Sequence, residues 1–213
     1  MSKLVLFQGD SITDAWRSRE YPTELGIGYS QMAASEVMFD HPGEYTFLNR
    51  GVSGNRIVDL YARMKADIIN LKPDYMSILI GVNDVWHELD NQNGVSAEKY
   101  ERIYNDLITE VKEALPNIKI MIMEPFVLPG GGTRSTEEKP DKWDIFYREV
   151  RKRAECARRV AEKHNLLFVP LQEKYEALNK KCAGIWLTDG VHPSCAGYQL
   201  LKREWLKAFE TIR

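Results

Sequence analysis

The chain has 213 residues, 44% apolar and 28% charged, with a formal net charge of −2. That length suits one sizeable core, and the near-neutral balance excludes a basic field for nucleic acid and the acidic excess of a disordered chain. No apolar run approaches the roughly 20 residues of a bilayer crossing, and the first strand begins too early to leave room for a signal segment, so a cytoplasmic protein without a membrane partner is expected.

Leu4-Val5-Leu6-Phe7 is a short apolar run that breaks at Gly9. It predicts a buried strand that delivers Ser11 to its carboxyl end, where open α/β sheets build their sites. Residues 29–39 predict a helix and 45–48 a second strand. Ile57, Leu60, Tyr61, Met64, Ile68 and Ile69 recur at 3.6-residue spacing and predict one continuous helix. A third strand is expected over 75–80. Ser96 is a fitting N-cap for a helix whose Tyr100, Tyr104, Leu107, Val111 and Leu115 share a face. Residues 119–123 read as a fourth strand. A long helix over 141–165 turns Trp143, Tyr147, Val150, Ala154 and Ala161 inward, and a fifth strand covers 166–171. A closing helix from about Pro193 buries Leu201, Trp205, Ala208 and Phe209. Such alternation with short connections implies parallel strands covered by helices on both faces. The expected architecture is a five-stranded, three-layer α/β/α sandwich forming a single domain over residues 1–213.

Two connections exceed ordinary turns, 15–28 with Trp16, Arg17, Arg19 and Tyr21, and 125–140 with Gly130-Gly131-Gly132. Both follow strand carboxyl ends and are candidate walls or lids. The glycine triplet lacks a P-loop pattern and reads as a flexible hinge. Cys156, Cys182 and Cys195 are odd in number with no CxxC spacing, which argues against a disulfide framework and a zinc site. His41, His87 and His164 have no partners at metal-ligand spacing, so neither a metal nor a cofactor is expected. The arginines of 148–159 are interleaved with glutamates and read as a solvated helix face.

Nucleophilic acyl transfer needs a nucleophile, a base, a group that orients the base, and donors for an oxyanion. Ser11 fits the first role. Asp189 and His192, three residues apart on a turn marked by Gly190 and Pro193, fit the orienter and the base. Two further blocks follow the second and third strands: Asn49-Arg50-Gly51-Val52-Ser53-Gly54-Asn55 and Gly81-Val82-Asn83-Asp84. Their backbone N–H groups and the Asn83 amide are candidate oxyanion donors. Ser53 narrowly misses a GxSxG elbow, since Asn55 stands where the motif's second glycine would be and Gly54 is misplaced by one, and is rejected as nucleophile. Asp10 and Asp84 read first as loop-organising acceptors. Asp10, Trp86, His87 and Trp186 flank the blocks closely enough to be candidate substrate contacts.

Taken in order, Gly9-Asp10-Ser11, Gly54 within its block, Gly81-Val82-Asn83-Asp84 and Asp189-Gly190-Val191-His192 resemble the four blocks of the SGNH (GDSL-type) hydrolases. The resemblance implies a flavodoxin-like sheet of order 2-1-3-4-5 and metal-free serine esterase chemistry. It also implies a Ser11–His192–Asp189 triad, and an oxyanion hole of the Ser11 N–H, the Gly54 N–H and the Asn83 side chain. Within the family, Gly9 to Asp14, Lys72 to His87 and Val191 to Gly197 are most similar to bacterial acetylxylan esterases and related carbohydrate acetylesterases. The expected substrate is therefore an acetylated carbohydrate, and a homo-oligomer is an expectation from family membership. Ile12-Thr13-Asp14 departs from the lipase-like continuation after the nucleophile. Rival readings are a lysophospholipase, thioesterase or short-chain aryl esterase using the same triad, and a phosphate- or cofactor-binding module on the same sheet. The last leaves Asn83, Asp189 and His192 without a task.

Overall fold

Because successive side chains of a strand point to opposite faces, a continuous run of large apolar residues can bury both, which is what a central parallel strand requires. In the computed structural model, which describes residues 2–213, β1 (Lys3–Gly9) is such a strand. Val5 and Phe7 enter one core and Leu6 the other. The remaining strands are β2 (Tyr45–Asn49), β3 (Tyr75–Leu79), β4 (Lys119–Met123) and β5 (Leu167–Val169). All pair in parallel, in the order β2-β1-β3-β4-β5. This is the expected flavodoxin-like α/β/α architecture. Because the strands are parallel, all five carboxyl ends lie along one edge.

The helices, in chain order, are α1 (Ser11–Asp14), α2 (Tyr29–Asp40), α3 (Ile57–Ala62), α4 (Met64–Asp67), α5 (Val82–Asn91), α6 (Ala97–Ala114), α7 (Lys142–Lys163), α8 (Gln172–Lys181) and α9 (Cys195–Ile212). One core face receives α2 and α9: Tyr29, Ala33 and Val37 meet Leu201, Trp205 and Phe209 over Val5 and Phe7. Trp205 lies 5.0 Å from Phe7 and stacks on Phe209 at 4.8 Å between ring centroids. The opposite face receives α3, α6 and the second half of α7, through Leu60, Tyr104, Leu107, Val111, Val160 and Ala161 over Leu6, Ile78 and Ile122. Each such fully buried large aliphatic side chain contributes about 1.5–3 kcal/mol relative to exposure. No helix of the described residues is long and apolar enough to cross a membrane.

Three sequence expectations are corrected. The periodic segment 57–69 is not one helix but α3, α4 and a 3-10 turn (Ile69–Leu71), interrupted at Arg63. Arg63 gives its guanidinium to the carbonyls of Gly9 and Arg50 and to Asn55 Oδ1, with Asp67 closing the set, so one side chain gathers the ends of β1 and β2. Three helices, the single turn α1 and the longer α5 and α8, stand where none is foreseen. Finally, the glycine triplet is not a hinge. Gly130 accepts from the N–H groups of Thr133 and Arg134, Gly132 donates to the Asp189 carbonyl, and Leu128 donates to Gly190. A methyl group on Gly130 would stand 2.2 Å from Gly190 N and 2.3 Å from the Asp189 carbonyl carbon. The glycine is needed so that two backbone strands can lie against each other.

Candidate active site

Serine at the end of β1 is presented by a single helical turn. Asp10 is the N-cap of α1, its Oδ1 accepting the Ile12 N–H at 3.0 Å. This leaves Ser11, as the first helical residue, with a backbone N–H that has no intrahelical acceptor. Asp10 itself is 1% exposed, so it is a buried cap and does not offer the substrate contact expected of it. Burial pushes its carboxyl up to about 7, against the pull of the Ile12 N–H and of His192.

The acid–base pair arrives from the other end of the chain. Asp189 Oδ1 accepts the N–H groups of Val191 and His192 at 2.9 and 2.8 Å, folding the turn, while Oδ2 accepts from His192 Nδ1 at 2.7 Å. With Nδ1–H committed to the carboxylate, Nε2 is left as an acceptor, and it lies 2.8 Å from Ser11 Oγ. Partial burial by itself would raise Asp189, but the hydrogen bonds from His192 and Val191 outweigh it and hold the carboxyl down to about 2. The hydrogen bond to Asp189 raises His192 above its ordinary value, more than partial burial lowers it. The structure thus joins Ser11, His192 and Asp189 in one hydrogen-bonded line.

Beside that line, the loop after β2 and the start of α5 after β3 are clipped together. Asp84, fully buried, accepts the Ile57 N–H through both oxygens at 3.1 and 3.2 Å, and Asn83 Nδ2 donates to the Asn55 carbonyl at 3.1 Å. Burial also lifts Asp84 well above the usual carboxylate range. Gly54 has φ +80°, a left-handed conformation that glycine adopts without strain. Its N–H and that of Ser11 make no hydrogen bond among the described residues. Two free backbone donors and a side-chain amide therefore come from the ends of the three adjacent strands β2, β1 and β3. His87 closes this corner, its Nε2 3.9 Å from where a Gly54 Cβ would be.

Trp86 stands behind the base. Its ring lies 6.0 Å from His192 and edge-on to Phe146 at 5.8 Å, with its Nε1 donating to Asp90. The Trp186 Nε1 donates to the Cys182 carbonyl at 2.7 Å. Neither lines the cavity over Ser11, a space of about 710 Å³ bounded instead by Asp14, Trp16, Arg17, Arg19, Ile27, Ser53, Thr188, His192 and Tyr198. The sequence expects Trp86 and Trp186 as substrate contacts; the aromatic side chains on this lining are instead Trp16, from the 15–28 loop, and Tyr198, from α9. Asp14 anchors that loop: it accepts both Arg19 nitrogens at 2.7 and 2.6 Å and the N–H and hydroxyl of Ser53 at 3.0 and 2.9 Å. Those hydrogen bonds hold its carboxyl below the usual range despite burial. Among the described residues, no group of three His, Cys, Asp or Glu side chains is placed to hold a metal ion.

The arrangement of a hydroxyl, an imidazole and a carboxylate beside converging N–H donors is competent for acyl transfer. Comparison with known proteins agrees. Residues 7–200 match the GDSL-like lipase/acylhydrolase family. The chain is 34% identical to an acetylxylan esterase of Geobacillus stearothermophilus, over 98% of this chain and 95% of that one. A crystal structure of that organism's acetylxylan esterase superposes with a TM-score of 0.83 at 33% identity, covering 97% and 93% of the two chains. A GDSL-like protein from Parabacteroides merdae reaches 0.89 at 35% identity over 99% and 97%. Three structures of the Geobacillus esterase are of catalytic mutants that replace a Ser, an Asp and a His, the last two at the same interval as Asp189 and His192. The chain belongs to the GDSL-like lipase/acylhydrolase family and is a carboxylic ester hydrolase.

Proposed function

We propose that the protein is a serine acetylesterase that removes acetyl groups from sugars of the acetylated xylo-oligosaccharide class. The observation that carries the chemistry is the line of contacts Ser11 Oγ–His192 Nε2–His192 Nδ1–Asp189 Oδ2, at 2.8 and 2.7 Å. In this reading His192 Nε2 takes the Ser11 proton as Oγ attacks the acetyl carbonyl. The oxyanion is met by the Ser11 N–H, the Gly54 N–H and the Asn83 amide, and Asp189 stabilises the imidazolium. The proton then passes to the departing sugar oxygen, leaving acetyl-Ser11. Water deprotonated by His192 attacks that ester, and acetate leaves as the proton returns to Ser11. Support for acetyl and sugar comes from the acetylxylan esterase relatives.

Initial rates on p-nitrophenyl acetate, butyrate and octanoate, with Ser11→Ala in parallel, test the reading. Expected are rates that fall steeply beyond acetate and vanish in the variant, followed by acetate release from acetylated xylo-oligosaccharides. Octanoate preference would reassign the substrate to lipids or thioesters. Turnover by pure Ser11→Ala would remove the nucleophile.

A further inference from the structure

The acetyl group has three non-hydrogen atoms, roughly the volume of two or three waters at about 30 Å³ each. The cavity over Ser11 is an open cleft of about 710 Å³, so most of it is available to the alcohol portion of the ester. What stands in that space decides which alcohol is chosen.

Trp16 is 87% exposed, yet it is not on a loose tip. Ala15 and Trp16 both have positive φ, 40° and 62°, a conformation that costs a residue with a side chain and persists where surrounding contacts enforce it. The Ala15 carbonyl accepts the Ile27 N–H at 2.8 Å, and the Arg17 N–H donates to Asp14 at 2.8 Å. Gly26 fits so closely that a Cβ would be 2.3 Å from the Ala15 oxygen. Beyond the turn, Arg17 Nε donates to the Gly51 carbonyl at 2.8 Å. Its Nη2 makes no hydrogen bond among the described residues, and the side chain lines the cavity. The turn therefore sets the Trp16 indole and the Arg17 guanidinium on the lining of one cavity. A pyranose ring has the complementary surfaces: an apolar C–H face, and hydroxyls at its rim.

We propose that Trp16 and Arg17 form the sugar-binding subsite, the indole stacking on a ring of the substrate and Arg17 Nη2 donating to its oxygens. The subsite rests on the acetylated-sugar reading above and adds to it the residues that select the alcohol. The αL turn at 15–16 serves to face the indole toward the ring.

The test compares peracetylated xylobiose with ethyl acetate, by pH-stat, for wild type, Trp16→Ala and Trp16→Phe. Ethyl acetate is the reference because a p-nitrophenyl ring would itself stack. Loss of an aromatic contact of ordinary strength lowers the kcat/KM ratio of sugar ester to ethyl acetate about tenfold in Trp16→Ala, through KM for the sugar. Trp16→Phe recovers most of the ratio. An unchanged ratio, or a loss in kcat alone, overturns the subsite while leaving the acetylesterase reading intact. Wild-type turnover of ethyl acetate without turnover of any sugar ester overturns the sugar reading itself, and the subsite with it.

Discussion

Gly132 donates its N–H to the Asp189 carbonyl across 2.8 Å, so the 125–140 strap is fastened to the turn that carries the triad carboxylate. Gly130 lies still closer to that turn, with room for no side chain. Asp189 and His192 are thus positioned from both sides, by their own local hydrogen bonds and by a backbone pressed against them.

The strap gives a direct prediction. Gly130→Ala places a methyl group against the Gly190 and Asp189 backbone, which has no flexible end to move aside. Overpacking of this kind costs about 1–3 kcal/mol, and here the displaced atoms belong to the triad turn. Denaturant unfolding should show that loss, with a fall in kcat exceeding any rise in KM. Gly131→Ala is the control, since a Cβ there meets nothing within 4 Å, and surface changes of that sort stay within about 0.5 kcal/mol. Equal effects at the two positions would mean that the strap does not support the turn.

The pH dependence follows from His192. Only the neutral imidazole can take the Ser11 proton, and its folded-state pKa is raised above 6.5 by the hydrogen bond to Asp189. The acid limb of kcat/KM should therefore have its midpoint above 6.5, and Asp189→Asn should move that midpoint down while lowering kcat by about 10⁴. The linkage to stability has opposite signs for the two partners. What His192 contributes is complete below its ordinary pKa of about 6.5 and is lost as pH rises through the raised value. What Asp189 contributes is present above about 3.9 and is lost as pH falls toward its folded value of about 2. Rates on p-nitrophenyl acetate from about pH 5 to 9 decide the first point: an acid limb absent, or unmoved in Asp189→Asn, would contradict it.

Asn83 separates oxyanion stabilisation from nucleophile activation. Removing one such donor typically costs about 10²–10³ in kcat. Asn83→Ala should show that loss while Ser11 still reacts stoichiometrically with an organophosphonate, because the Ser11–His192 contact is untouched. The Nδ2 bond to the Asn55 carbonyl complicates the change, so unfolding must be measured alongside. A variant of normal stability and undiminished kcat would remove Asn83 from the hole.

What the sequence reveals of this fold depends on whether a residue's placement serves the core or the site. Strand β4 and the closing helix α9 are legible because their patterns answer only to burial: Met121 and Ile122 alternate between two cores, and Leu201, Trp205 and Phe209 follow one stripe. Helix α5 is not, since two of its buried residues are Asn83 and Asp84, polar side chains turned inward to clip the adjacent loop. The break at Arg63 is hidden for a related reason. Ile57 to Ile69 keeps helical period, and only the tertiary demand of two strand ends for a guanidinium interrupts it. Ser11, Asp189 and His192 are legible because few residue types supply this chemistry and their local punctuation is strong. The cavity wall is not: Trp86 and Trp186 neighbour the motifs in sequence, whereas Trp16 reaches the cavity through a turn whose positive φ values no residue type there announces.

The contact between Ser11 and His192 joins positions separated by 181 residues, and α9, which follows the histidine, packs its Trp205 on Phe7 of the first strand. On a ribosome, the serine emerges 181 residues ahead of the imidazole. Until His192 and α9 leave the exit tunnel and α9 seats itself against β1, the hydroxyl lacks the acceptor it has in the fold. Between the emergence of the serine and that of the histidine the nascent polypeptide lacks its base, and the Ser11–His192 contact forms only once α9 has docked.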